Sequence, residues 1–297
     1  MLVIGVFGPT ASGKSDVAAA VADVIPAEVV SADAMQVYRG LPILTNQSSN
    51  PERLVGLWPL SHVASVGEYA PLAQAAVDEI LGARQTPLVV GGTGLYFRAA
   101  LAELELPPAP VAGARERWQE LYDESGAAAA HARLGELDAE AAARIHPNDR
   151  RRVVRALELA EAGRSLVPRR EALFRGAWRH PTLVVGLDVP KTELDRRIGE
   201  RTRRMFEAGV EEEVRNAIAA EPSATARKVI GLQEVTTLPR EEAIAALTTR
   251  TRRYAAYQRK WLRRLEGLVM VAADRPPKET AAEIVALART RERLPRS

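Results

Sequence analysis

Apolar positions follow two alternating patterns along this chain. Short continuous runs occur at Leu2-Val3-Ile4-Gly5-Val6-Phe7, Ala27-Glu28-Val29-Val30-Ser31, Pro87-Leu88-Val89-Val90-Gly91, Thr182-Leu183-Val184-Val185-Gly186-Leu187-Asp188 and Leu268-Val269-Met270-Val271. Each has the length of a strand buried on both faces. Between them apolar residues recur at helical spacing. Val17, Ala20, Val21 and Val24 predict a helix over Asp16 to Val24, and a second is predicted over roughly Val66 to Gly82. Continuous apolar strands alternating with helices imply an α/β fold, a parallel sheet covered by helices on both faces.

The alternation fails between Pro107 and about His180. That stretch opens with Pro107-Pro108-Ala109-Pro110 and then offers only helical patterns, including the alanine-rich pieces Gly126 to Ala132 and Ala139 to Ala143. It reads as an inserted all-helical lobe. Residues 1–110 and 181–297 are expected to form the α/β core, and 111–180 the helical insertion. A chain of 297 residues suits one such core with an insertion, and no repeat-length period is present.

The first predicted strand runs directly into Gly8-Pro9-Thr10-Ala11-Ser12-Gly13-Lys14-Ser15, which satisfies G-x-x-x-x-G-K-[ST] at every fixed position. Glycine lets the backbone curl so that successive N–H groups point inward, Lys14 adds a mobile positive charge, and the following helix turns its positive end toward the bound anion. Gly8, Thr10, Ala11, Ser12, Gly13, Lys14 and Ser15 are therefore the expected diphosphate-binding set. The Ser15 hydroxyl is available to a phosphate oxygen or to Mg2+, the expected cofactor. The core is accordingly expected to be a P-loop NTPase-like parallel sheet, binding a diphosphate or triphosphate.

Composition narrows the chemistry further. There is no cysteine, which excludes disulfides, thiolate metal sites and a thiol nucleophile, and His62, His131, His146 and His180 lack metal-ligand spacing. Met1 leads straight into the first strand with no targeting segment, and no apolar run approaches bilayer length, so a cytoplasmic protein without a membrane is expected. Net charge is +3 and the sequence pI about 9.3. Arginine is clustered, at Arg150 to Arg155, Arg196 to Arg204 and Arg250 to Arg264. Such runs are either solvated faces paired with glutamates or tracks along a nucleic-acid backbone.

In an open parallel sheet, ligands bind beyond the carboxyl ends of the strands, so the loops after the first three predicted strands should converge. The second loop carries Asp33, placed either to accept a proton and help hold a metal or to make the turn. The third, Gly91-Gly92-Thr93-Gly94, puts Thr93 where a ligand could approach the backbone. Asp188 and Asp274 read as strand-end turn residues. Tyr254, Tyr257, Trp261 and Leu265 fall on one helix face and read as core.

Several motifs in order along almost the whole chain resemble the tRNA dimethylallyltransferase family. Its phosphate loop resembles residues 8–15. Its Asp-Ser-Met-Gln-Val-Tyr-Arg-Gly resembles Asp33 to Gly40, and its Gly-Gly-Thr-Gly-Leu-Tyr-Phe resembles Gly91 to Phe97. Asn148 to Glu158, Arg201 to Val214, Ala226 to Val235 and Arg253 to Arg263 resemble its later motifs. The resemblance implies a P-loop fold and transfer of a dimethylallyl group from dimethylallyl diphosphate to the exocyclic amine of the adenosine 3′ of the anticodon. It implies Asp33 as catalytic base and a tRNA-binding set of Asp33, Ala34, Met35, Gln36, Thr93, Arg115, Arg151, Arg152 and Arg155. In this picture the helical insertion grips the tRNA anticodon stem-loop, the target base is flipped, and Arg227 or Lys228 adds a diphosphate contact. No protein partner is inferred.

The chain departs from that pattern in places. Ala34 stands where the family usually has serine, and Leu44-Thr45-Asn46-Gln47-Ser48 replaces Gly-Thr-Ala-Lys-Pro. Leu60-Ser61 replaces a common His-His pair, and Tyr257 stands where an arginine usually precedes Gln258. The residues by themselves leave open a small-molecule kinase, prenyl transfer to a free adenine nucleotide, and a non-catalytic RNA-binding relative.

Overall fold

Six strands run parallel in a single sheet in the computed structural model, which describes residues 1–104, 111, 113–166 and 177–293. They are β1 (Val3–Phe7), β2 (Ala27–Ser31), β3 (Glu52–Arg53), β4 (Thr86–Gly91), β5 (Thr182–Asp188) and β6 (Val269–Ala272), in the spatial order β3-β2-β4-β1-β5-β6. β1 lies at the centre, with Ile4 level with Leu88 of β4 and Leu183 of β5. Five strands match the apolar runs. The sixth, β3, has no apolar pattern because it is a two-residue edge strand, paired with Val29 and Val30 and pinned by Arg53, whose guanidinium reaches Glu28 at 2.8 Å and Glu79 at 2.6 Å.

Alternation along β1 assigns the two faces of the sheet. Leu2, Ile4 and Val6 pack with Val17 and Val21 of α1 (Lys14–Ala22). The intervening positions face α3 (Gly94–Leu101), where the Phe7 and Phe97 rings meet edge to face, and α2 (Val66–Gly82) packs against β2, β4 and α3. The Ser65 hydroxyl caps α2 by accepting the Glu68 amide, which satisfies one of the unpaired N–H groups of the first turn.

Two compact units result, Met1–Glu103 with Phe174–Ser297, and Leu104–Leu173. The second contains α4 (Ala114–Leu137), α5 (Ala139–Arg144) and α6 (Arg150–Glu161) around a core of Ala130, Leu134, Ala141, Ile145, Val153, Ala156 and Leu157. Gly126, expected inside a helix, instead breaks α4 with φ 81° and ψ 167°. The proline-rich opening at 107–110 lies outside the described residues. The unit boundaries differ from the expected 110/111 and 180/181. Trp178 bridges to Ala102, the Arg179 amide donates to the Leu101 carbonyl, and Asp78 takes both Arg179 and His180, so these residues belong with the α/β unit.

The α/β unit is completed by α7 (Lys191–Glu207), α8 (Val210–Ala219), a short 3-10 turn (Ala226–Lys228), α9 (Leu232–Thr237), α10 (Arg240–Leu262) and α11 (Pro277–Arg293). Ile284 and Val285 of α11 join α1 on the same sheet face. No helix among the described residues is long and apolar enough to cross a membrane.

Candidate active site

The loop from β1 to α1 wraps as its sequence requires. Gly13 has φ +84°, a left-handed conformation costly for a residue with a Cβ, and it turns the chain into the first helical turn. Lys14 folds back so that Nζ donates to the Pro9 carbonyl at 2.8 Å. Burial pushes its ammonium down to about 8; Asp33 and Glu52 oppose that shift and Arg201 reinforces it. The Ser12 hydroxyl is buried with no hydrogen-bond partner among the described residues.

Asp33 leaves the end of β2, makes the turn there and faces the cavity. Its Oδ1 accepts the Met35 amide at 2.9 Å, making the turn, while the residue lines the same cavity as Lys14. Gln36 also lines the cavity, but its amide is committed: Oε1 accepts from Ser31 Oγ and Nε2 donates to the Thr45 and Asn46 carbonyls. The loop it holds is clamped from its other side by Glu213, whose carboxylate accepts the Ile43 and Leu44 amides at 2.8 Å each. The sequence reading assigned Glu213 no role.

The third loop closes on the first. Gly92 permits the approach of Gln258, because a Cβ there would sit 2.2 Å from Gln258 Nε2. Thr93 Oγ1 accepts the Ala34 amide at 3.3 Å and lies 3.3 Å from the Tyr254 hydroxyl, so Thr93 and Ala34 knit the second and third loops together. Burial raises the Tyr254 phenol well above its ordinary value, keeping it neutral.

The cavity these loops enclose measures about 450 Å³. Thr10 to Ser15, Asp33, Met35 and Gln36 line it; Gly8 lies behind, where a Cβ would fall 2.6 Å from Ser12 Oγ. α7 adds Arg197, Arg201 and Arg204. Arg201 donates to Thr10 Oγ1 at 2.6 Å, and burial lowers it to about 10 against the pull of Asp33. Sequence analysis placed Arg201 in a basic cluster and at the head of a family motif but not among the site residues, and it overlooked Glu52, a cavity carboxylate whose acidity burial weakens. Arg227 and Lys228 do not line the cavity, whereas Ile230, just beyond their turn, does. Asp188 and Asp274 are exposed at strand ends, as turn residues should be.

Tyr257 corrects the aromatic stripe. Thr251, Ala255, Gln258 and Trp261 form the buried face of α10, whereas Tyr257 is 54% exposed. The marker of the buried face was Gln258, a polar residue at helical spacing between Tyr254 and Trp261.

The helical unit carries Arg115, Arg151, Arg152 and Arg155. Glu158 on α6 is only 1% exposed and takes Arg115 at 2.7 Å and Arg155 at 2.7 Å, so these two arginines neutralise a buried carboxylate. Arg152 and Arg151 are exposed, with Arg152 3.4 Å from Asp149, which caps α6.

A divalent cation fits the donors present. The Ser15 hydroxyl and the Asp33 and Glu52 carboxylates line one cavity beside the phosphate loop. Magnesium ordinarily takes one or two protein carboxylates and completes its shell with water and substrate phosphate. The described residues contain no group of three or more His, Cys, Asp or Glu side chains placed to cage a metal by themselves.

Comparison with known proteins agrees with this architecture. The family model described as IPP transferase matches residues 36–265. A protein named tRNA dimethylallyltransferase from Corynebacterium jeikeium is 38% identical over 94% of this chain and 94% of its own. One of the same name from Salinispora tropica is 41% identical over 88% of this chain and 85% of its own. The crystal structure of a full-length tRNA isopentenylpyrophosphate transferase from Bacillus halodurans superposes with a TM-score of 0.70 at 28% identity, covering 98% of this chain and 97% of that one. The chain belongs to the IPP transferase family.

Proposed function

We propose that the chain transfers a dimethylallyl group from dimethylallyl diphosphate to the exocyclic amine of the adenosine 3′ of the anticodon in tRNA. One observation carries the reading. A phosphate loop and a half-buried arginine, Arg201, share their cavity with an apolar wall of Leu44, Met205, Ile230 and Leu247. That combination suits a diphosphate joined to a short hydrocarbon. Family membership and the names of the relatives favour tRNA as the acceptor over a free nucleotide and disfavour a small-molecule kinase.

The amine nitrogen attacks the first carbon of the donor, and the bond from that carbon to oxygen breaks with its electron pair leaving on diphosphate. The amine proton passes to Asp33, whose Oδ1 is held by the Met35 amide. Charge growing on the leaving diphosphate meets the loop amides, Lys14 and Arg201, donors already fixed in a partly buried site. Ser15 and Glu52 would hold a magnesium ion, which supplies further neutralisation of that charge when bound.

Ala34, Met35, Gln36 and Thr93 shape the wall that receives adenine, with Gln36 acting through the loop it holds. In the helical unit, Arg151 and Arg152 contact RNA phosphates. Arg115 and Arg155 act chiefly by neutralising Glu158 and so fixing α6.

Purified protein incubated with labelled dimethylallyl diphosphate and either bulk tRNA, AMP or no acceptor tests the reading. Label is expected in tRNA alone, with release of inorganic diphosphate. Label in AMP, or in neither acceptor, would overturn it.

A further inference from the structure

Tyr257 exposes 54% of its surface on a helix whose neighbouring turn lines the cavity. Tyr254, three residues earlier, is a cavity residue tied to Thr93, and the two rings lie 6.5 Å apart with planes only 23° off parallel. A large aromatic ring with more than half its surface in water, stacked beside a cavity residue, gains less from the core than a buried ring and presents apolar surface to solvent.

Charge around it is also distinctive. Arg240, Arg250 and Arg252 on α10 pair with Glu211, Glu234 and Asp195. Arg253 and Lys260 are exposed and have no ion pair among the described residues. They lie four residues before and three after Tyr257, which places both on its side of the helix. Free cations on either side of an exposed aromatic ring form the minimal apparatus for single-stranded nucleic acid, with stacking for a base and charge for its phosphates.

We propose that Tyr257 is a stacking platform for an unpaired RNA base adjoining the one held in the cavity, with Arg253 and Lys260 on the flanking phosphates. The inference rests on the acceptor being RNA, and it names a specificity-determining residue for that acceptor.

The test compares Tyr257→Ala and Tyr257→Phe with wild type, using an anticodon stem-loop RNA and the same RNA made abasic at either nucleotide flanking the target adenosine. Removing the ring should weaken stem-loop binding by roughly 5- to 150-fold, the range of one base stack, and Tyr257→Phe should restore it. At one of the two abasic positions the alanine and wild-type proteins should bind alike. The Michaelis constant for dimethylallyl diphosphate should move less than about two-fold, since the donor is held elsewhere. Stem-loop affinity of Tyr257→Ala within about two-fold of wild type would overturn the platform, as would an unchanged effect on both abasic RNAs. Failure of wild type to modify any RNA would instead overturn the acceptor assignment, so the two readings fail separately.

Discussion

Gln258 accepts the backbone amide of Thr10 through Oε1 at 2.7 Å, tying α10 to the phosphate loop. Its Nε2 donates to the Gly92 carbonyl at 2.9 Å, so one side chain locks two loops. Gln258→Glu keeps the acceptor but loses the donor and turns a carboxylate oxygen toward a carbonyl. The expected cost is about 1–3 kcal/mol of stability for the unsatisfied buried group. Thermal unfolding with and without inorganic diphosphate should show a lower Tm and a smaller ligand-induced rise than wild type; an equal rise would mean that the bond does not shape the diphosphate site.

Asp33→Asn separates the two duties of Asp33. The amide oxygen can still accept the Met35 amide and keep the turn, but it cannot take a proton. Single-turnover prenyl transfer should slow by ~10² to 10⁴, with stem-loop affinity preserved. A rate within a few-fold of wild type would remove Asp33 as the base.

Lys14 sets a pH dependence. In the free protein its ammonium titrates near 8, lowered by burial, and a bound diphosphate favours the charged form. Above that pH, binding must therefore take up a proton, and affinity for inorganic diphosphate should fall as pH rises, by at most about tenfold per pH unit. Calorimetric titrations in buffers of different ionisation enthalpy measure the uptake directly. Lys14→Ala should abolish it, and persistence in that variant would assign the proton to another group.

The arginines of α6 should divide into two kinds. Arg151→Gln with Arg152→Gln should flatten the salt dependence of stem-loop binding, by ~0.7–0.9 log units per lost phosphate contact, with little change in folding stability. Arg155→Gln should instead cost about 1–3 kcal/mol, because buried Glu158 loses one of its two cationic partners. An unchanged slope for the first pair would return Arg151 and Arg152 to the solvated surface, and an unchanged unfolding midpoint for the second would remove Arg155 from the support of Glu158.

Much of the framework was legible in local pattern. The β1 run, the glycines around Lys14 and the helix beginning at that lysine specify one another over a few residues, because backbone conformation and apolar alternation are short-range properties. The same holds for the turn at Asp33, which closes on an amide two residues away. β3 was not legible, since a two-residue edge strand held by Arg53 ion pairs carries no alternation. Nor was the break at Gly126, where high helix propensity on either side masked a left-handed residue.

What the sequence alone determined was the turn from β1 into α1, five of the strands and the helical character of the insertion, each encoded by contiguous residues. Only the tertiary structure decided that Arg201 reaches Thr10 from 191 positions away, that Gln258 joins the phosphate loop to Gly92, and that Glu52 faces the cavity. It also turned Tyr257 outward while burying Gln258 beside it. Helical periodicity says which residues share a face, but which neighbours meet that face depends on how distant elements pack, and no local spacing carries that information.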